Sequence, residues 1–223
     1  MRVFAHYAKF ESQAGKLYEY RWRTLLQFGT SWEVIGSIVM VNPGTSSPLT
    51  PDQPIEDEEM LRHLRPFDSN DDWYEYTDDP TLQLVRTIFR MYQETQLGNP
   101  ELNGVIQVFN LMNIREKDLG KALKRNQEVV LPVSKTVDKD ITQLIAPVYL
   151  GWGKSMKDIP YLREDEEKFF NVVYNEMDGK YLYADFNKNN FYHPQYMMGR
   201  GRNRHCSKYL LQAFCQNTTT PSM

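Results

Sequence analysis

The segment that decides the fold of this 223-residue chain is an apolar run that ends abruptly, Ile35-Gly36-Ser37-Ile38-Val39-Met40-Val41, followed at once by Asn42-Pro43-Gly44-Thr45-Ser46-Ser47. Its β-branched residues predict a buried strand. Pro43 and Gly44 cannot extend a strand, so the backbone must turn directly after Asn42. Ligands of open α/β sheets bind beyond the carboxyl ends of the strands, and free backbone N–H groups there suit a polar or phosphate-bearing ligand. The alternative is an ordinary strand-to-loop turn.

Further strands alternate with helices along the chain. The sequence predicts a hairpin at 2–10 and 17–28, strands at 104–111, 148–150 and 181–186, and helices at 80–97, 134–146, 162–176 and from 203. This order predicts an α/β fold of three layers (αβα), with a central, mainly parallel four-stranded sheet and an additional N-terminal β-hairpin. One domain would span 1–216, with 48–79 as an acidic insert or lid and 217–223 as a disordered tail.

Composition predicts a globular cytoplasmic protein. The chain is 41% hydrophobic and 25% charged, and it contains neither a membrane-length apolar run nor a signal-peptide pattern at its start. Its two cysteines, Cys206 and Cys215, are poorly placed to pair, which favours a reducing compartment. Gly153-Lys154-Ser155 lacks the upstream glycine of a nucleotide-binding loop, and no histidine or cysteine cluster has metal-site spacing. We therefore expect no metal and no cofactor.

Charge is distributed unevenly. The net charge is −3, but the chain from Phe186 onward has no acidic residue and five basic ones: Lys188, Arg200, Arg202, Arg204 and Lys208. The rest of the chain is correspondingly acidic. A basic end on an acidic body is compatible with DNA binding at one face, because local charge decides where an anion docks.

Polar residues follow four predicted strands, and in a parallel sheet they would meet at one edge. They are Asn42-Pro43-Gly44, Asn110, Gly151-Trp152-Gly153 and His193-Pro194. In this order they resemble the motifs of the uracil-DNA glycosylase superfamily. Its mismatch-specific branch has a first motif G-x-N-P-G, and the last motif of the superfamily has the form H-P-S-P-x-S or N-P-S-x-x-S. Asp78-Asp79-Pro80-Thr81 and His193-Pro194-Gln195-Tyr196 also resemble a poorly characterised bacterial domain family. The resemblance covers residues 33–215.

The resemblance implies a monofunctional DNA glycosylase. Such an enzyme flips a damaged or modified pyrimidine out of double-stranded DNA, hydrolyses its N-glycosidic bond and leaves an abasic site. Asn42 would orient the attacking water, and His193 would donate a hydrogen bond to the departing base. Asn110 would read the edge of the base, with Asn113 as a nearby rival. The structural alternatives are a turn-stabilising hydrogen bond for Asn42 and satisfied polar side chains for the others.

The resemblance also implies a set of DNA contacts. Met197 or Met198 would wedge into the duplex where the base departs. Phosphates and the adjacent backbone would be contacted by Thr45, Ser46, Lys154, Ser155, Tyr196, Arg200, Arg202 and Arg204. We expect a monomer with a DNA partner and no membrane partner.

Gly44 departs from the uracil-specific pattern, in which a tyrosine excludes substituents on the pyrimidine C5 atom. A glycine leaves that space open, so our hypothesis is an enlarged base, for example glucosylated hydroxymethylcytosine in phage DNA, and a role in antiviral defence. The insert would line the larger pocket with Phe67, Trp73, Tyr74 and Tyr76. Two other functions fit the same residues: a non-catalytic DNA- or nucleotide-binding module, and an N-glycosidic enzyme that acts on free nucleosides.

Overall fold

One six-stranded sheet organises the chain, which the computed structural model describes over residues 1–128, 136–153, 159–184, 186, 191–197 and 204–216. The strands are β1 (Arg2–Glu11), β2 (Leu17–Phe28), β3 (Val34–Met40), β4 (Trp73–Tyr76), β5 (Gly104–Asn110) and β6 (Val148–Leu150). Their order across the sheet is β4-β1-β2-β5-β3-β6. Strands β5, β3 and β6 run parallel, whereas β2, β1 and β4 extend the sheet in antiparallel pairs.

The described helices are α1 (Glu58–Leu64), α2 (Pro80–Leu97), α3 (Leu119–Glu128), α4 (Val137–Asp140), α5 (Pro160–Glu176), α6 (Pro194–Met197) and α7 (Arg204–Gln216), with a 3₁₀ turn at Ile141–Gln143. Helix α2 has the predicted ends. The Asp79 side chain caps its first turn, Pro80 begins it, and Gly98 ends it with φ +68°. None of the described helices combines the length and apolar character that a membrane crossing requires.

Both faces of the sheet are covered. On one face Phe89 of α2 lies over Gly36, where an added Cβ would come within 2.3 Å of the Phe89 ring. On the opposite face α1 packs against the sheet in an apolar cluster of Phe4, Leu25, Leu61, Leu64, Trp73 and Val105. Strand β3 is therefore held between packed layers, which fixes the position of the residues that follow it.

A buried ion pair ties α4 to the sheet on the face that α1 covers. Arg23 Nη2 lies 3.1 Å from Asp140 Oδ1, and the Thr136 hydroxyl donates to the same carboxylate. The Ser37 hydroxyl accepts the backbone N–H of Ile145 at 2.9 Å. These contacts hold the segment after α4 against β3.

The α/β class predicted from the sequence is confirmed, but the predicted four-stranded, mainly parallel sheet is wrong. The N-terminal hairpin is not an addition, because β2 pairs with β5 from Thr24↔Val108 onward. The insert supplies the edge strand β4, which pairs with β1.

Two other predicted elements differ from the structure. No strand forms in the described part of 181–186: the Leu182 N–H donates to Gly179 in a turn, and Tyr183 stacks on Tyr149 with ring centroids 5.3 Å apart. The aromatic residues there serve packing rather than strand pairing. The helix predicted at 134–146 ends by Gln143, because the backbone N–H of Ile145 donates to the Ser37 hydroxyl in β3. Helix α3 was not predicted.

Candidate functional site

A cavity of about 400 Å³ lies at the carboxyl ends of the parallel strands β3 and β6. Val41 and Asn42 line it from the end of β3, and Trp152 and Gly153 line it from the end of β6. The remaining lining residues are Leu119, Tyr192, His193, Gln195 and Tyr196. Both the volume and the position are typical of ligand sites in open α/β sheets.

Asn42 and His193, the two residues predicted to be catalytic, are brought together in the wall of this cavity. The Asn42 side-chain nitrogen donates to the backbone carbonyl of Glu116 at 2.7 Å. This bond fixes the orientation of the amide, and the side-chain oxygen has no donor among the described residues. Asn42 therefore presents a hydrogen-bond acceptor to whatever occupies the cavity.

His193 is a hydrogen-bond donor and so complements the acceptor that Asn42 presents. Its Nδ1 atom accepts the backbone N–H of Gln195 at 3.3 Å, which places the proton of a neutral ring on Nε2. Burial lowers the pKa of His193 to about 4, although the negative charge of Asp79 acts in the opposite direction. At neutral pH the side chain is an uncharged imidazole with one N–H donor, and Nε2 has no partner in the described part of the chain.

The loop that carries His193 is tied to the end of β6. The Tyr149 hydroxyl donates to the Tyr192 carbonyl at 2.6 Å, and the Gly153 N–H donates to the Phe191 carbonyl at the same distance. The Trp152 ring packs 5.1 Å from the Phe191 ring. These bonds fix the position of His193 relative to the end of β6.

Trp152 lines the cavity with an aromatic ring. Its side chain is 1% exposed, and its buried indole nitrogen has no hydrogen-bond partner among the described residues. The cavity therefore offers a donor from His193 and an acceptor from Asn42 beside flat aromatic surfaces.

The two predicted base-reading asparagines lie outside the cavity wall. Asn110 pairs with Met40 across the sheet, is 2% exposed, and has neither side-chain atom bonded within the described chain. Asn113 is buried, and its amide nitrogen donates to the Thr136 hydroxyl at 3.0 Å. Asn113 thus holds the segment before α4, whereas the amide of Asn110 is buried away from the cavity.

In the turn after β3, Gly44, Thr45 and Ser46 do not all have the positions predicted for them. Gly44 has φ +67°, which favours glycine for backbone reasons, and an added Cβ would meet nothing within 4 Å. It does not line the cavity. Ser46 is buried and its hydroxyl donates to the Thr77 carbonyl at 2.8 Å, while the Thr45 carbonyl accepts from Arg115. These contacts hold the insert against the turn.

Of the predicted DNA contacts, Tyr196 lines the cavity and is 61% exposed. Met197 is 2% exposed because α6 packs against α2 and α7, so the wedge role predicted for it is not supported. The side chain of Arg204, at the start of α7, lies outside the described part of the chain. The same holds for Lys154, Ser155, Met198, Arg200 and Arg202.

The insert does not line the cavity as predicted. Trp73 is buried against the ring of His6, with centroids 4.0 Å apart, on the other face of the sheet. Tyr76 is buried beside Arg21, whose Cζ lies 5.3 Å from the centre of the Tyr76 ring. Phe67 and Tyr74 also lie away from the cavity lining. Strand pairing of β4 with β1 accounts for this, because it carries the insert to the far edge of the sheet.

Sequence reasoning missed Glu116, Leu119 and Arg21. Glu116 holds Asn42 through a backbone carbonyl, for which the sequence gives no signal. Leu119 follows a polar segment in which no apolar period is visible. The alternation Arg21-Trp22-Arg23 is typical of a strand with one polar, exposed face, so the sequence gives no signal that Arg21 is buried.

Comparison with protein-family models, with curated proteins and with solved structures finds no match for this chain. The fold and the cavity define an α/β protein with a candidate ligand site at the carboxyl ends of its parallel strands. The resemblance to uracil-DNA glycosylases stays a prediction from the motifs.

Proposed function

We propose that this protein is a monofunctional glycosylase that hydrolyses the N-glycosidic bond of a pyrimidine flipped out of DNA. The observation that carries the proposal is the hydrogen-bonding state of two residues in one cavity. Asn42 presents an acceptor oxygen, and neutral His193 presents an N–H donor. Hydrolysis of this bond needs an acceptor that orients water and a donor that stabilises negative charge on the leaving base.

Asn42 would act on the water. As the bond between the sugar C1′ and the base nitrogen breaks, its electron pair goes to the base and positive charge develops on the sugar. The water oxygen then bonds to C1′ and loses a proton, which passes through solvent to the ring nitrogen of the departed base. An amide oxygen is a weak base, so its contribution is orientation of the water rather than full proton transfer.

His193 would act on the base. Its Nε2–H is suited to donate to a base carbonyl oxygen, where the electron pair of the broken bond is delocalised. The aromatic side chains of Trp152, Tyr192 and Tyr196 offer flat surfaces on which a heteroaromatic ring can stack. This combination of donor, acceptor and aromatic wall favours a nucleobase over an aliphatic ligand.

Duplex DNA and an enlarged base belong to the same proposal. Arg200, Arg202 and Arg204 follow Tyr196 within eight residues of sequence, which supports phosphate binding by this segment. Gly44 lies outside the cavity wall, so the preference for an enlarged base, for example glucosylated hydroxymethylcytosine, rests on the sequence motif alone.

Substitution of Asn42 by alanine tests the proposal against a pure binding module. We expect Asn42→Ala to lower the rate of base release by about a hundredfold, with duplex affinity retained. Asn99→Ala is the matched control, because Asn99 follows α2 and its side chain bonds only to the nearby N–H of Glu101.

Three other outcomes would point elsewhere. DNA binding by the wild-type protein without any base release would favour the non-catalytic module. Unchanged release in Asn42→Ala would make Asn42 a turn residue only. Release from free nucleosides, unaffected by replacement of the three arginines, would favour a nucleoside hydrolase.

A further inference from the structure

Arg21 is a buried cation without a direct counter-ion. Its side chain lies in β2 and is 1% exposed. Nη2 donates to the carbonyl of Pro43, while Nε and Nη1 have no hydrogen-bond partner among the described residues. No carboxylate of the described residues lies within 4.0 Å of the guanidinium. Burial of a charge without a partner is costly, so something outside the described residues is expected to compensate it.

Arg23, two residues further along β2, shows the contrast. It is also buried, but it lies on the opposite face of the sheet and pairs with Asp140 at 3.1 Å. The same strand thus carries one compensated and one uncompensated guanidinium. Because Arg23 has an ion-pair partner and Arg21 does not, packing alone does not explain why Arg21 is buried.

The charged groups around Arg21 do not neutralise it locally. The Asp79 carboxylate acts on both Arg21 and His193, but it lies beyond ion-pair distance of Arg21 and accepts two backbone N–H groups as the cap of α2. Arg115 adds a second positive charge and is itself paired with Glu19 at 3.1 Å. The remaining neighbour is the Tyr76 ring, which offers only a cation–π contact.

Arg21 is one residue removed from the cavity wall. The carbonyl that it holds belongs to Pro43, and the preceding residue, Asn42, lines the cavity. In a buried setting a unit charge acts over several ångströms with little screening. An anion in the cavity would therefore be stabilised by Arg21 without touching it.

We propose that Arg21 makes the cavity select a pyrimidine base as its ring-nitrogen anion, which is the form in which the base leaves. This inference rests on the proposed function, since it requires a base to bind in this cavity. Arg21 is in these terms a positioning residue: it holds the Asn42-Pro43 turn through a hydrogen bond and contributes a fixed positive charge behind it.

Free bases test this without any catalytic turnover. The probe is 5-nitrouracil, whose affinity is measured by calorimetry below and above the pKa of its ring proton. Thymine, which stays neutral at both pH values, corrects for changes in the protein itself. We expect wild-type protein to bind the anion about tenfold more tightly than the neutral base, as a charge about 10 Å away would produce.

The variants separate charge from structure. Arg21→Gln and Arg21→Met are expected to lose the preference for the anion, Arg21→Lys to keep part of it, and Arg23→Gln to keep all of it. A preference that survives in Arg21→Gln, or its absence in the wild-type protein, would overturn the inference and leave the proposed function standing. If neither free base binds the wild-type protein, the inference is overturned, and base release from duplex DNA decides the proposed function separately.

Discussion

Protonation of His193 should weaken the fold, because the ring is buried as the neutral imidazole. Burial lowers its pKa from 6.5 to about 4 in the folded protein. The unfolded chain therefore binds the proton at a higher pH than the folded chain. The stability that neutral His193 contributes is complete above pH 6.5 and is lost as the pH falls through about 4. The difference between the two pKa values corresponds to about 3 kcal/mol.

Urea unfolding over this pH range measures the effect. The wild-type protein should lose about 3 kcal/mol more free energy of unfolding than His193→Gln, whose amide does not titrate. Tyr196→Phe is the matched control, since it changes the same cavity and keeps the imidazole. An equal loss in wild type and His193→Gln would refute the argument. It would also remove the reason for treating His193 as a neutral donor.

Three further predictions concern the elements that position the site. Gly36→Ala should cost about 2–4 kcal/mol in urea unfolding, because φ is +151° and a Cβ would meet Phe89. Gly98→Ala, with open space around it, should cost about 1 kcal/mol. Arg23→Met should cost about 3–5 kcal/mol, since it leaves Asp140 buried without its partner. Asp79→Ala should lower stability in thermal melts by about 1 kcal/mol, as loss of a helix cap does.

Each of these has a contrary outcome. Equal losses in the two glycine variants would mean that the contact with Phe89 is not limiting. A small loss in Arg23→Met would mean that the pair with Asp140 contributes little, which the double variant with Asp140→Leu would check. An unchanged melting temperature in Asp79→Ala would mean that another group caps α2.

Local chemistry explains which elements could be predicted. The run Ile35–Val41 contains β-branched residues followed by Pro43 and Gly44, so both the strand and its end are visible in the sequence. The bounds of α2 follow from Asp79 and Gly98 in the same way. These signals act within a few residues and do not depend on the rest of the fold.

Sheet pairing could not be predicted, because it depends on residues far apart in the chain. The pairing of β2 with β5 joins the hairpin to the parallel strands, and nothing in 17–28 marks that partner. Strand β4 has only four residues within an acidic insert. The segment 181–184 has the composition of a strand, but Tyr183 uses its ring for packing against Tyr149.

The site was predictable to the extent that it consists of strand ends. Asn42 could be placed at the edge because it directly follows a strand that is visible in the sequence. His193 was expected after a strand at 181–186 that does not form, and it reaches the cavity on a loop bonded to the end of β6. The roles predicted for Asn113 and Met197 are not supported, because both side chains are used inside the fold. Asn113 donates to Thr136, and Met197 is buried where α6 contacts its neighbours. The sequence alone does not show such internal contacts. Arg21 was missed for the same reason.

Release of a free base from DNA decides most directly whether this cavity hydrolyses a glycosidic bond. Duplexes with uracil, a thymine mismatch or glucosylated hydroxymethylcytosine would be incubated in heavy-oxygen water, and the products identified by mass. We expect a free pyrimidine and one heavy oxygen on the abasic sugar, both formed about a hundredfold more slowly by Asn42→Ala. Bound duplexes that release no base under any of these conditions would contradict the proposed function.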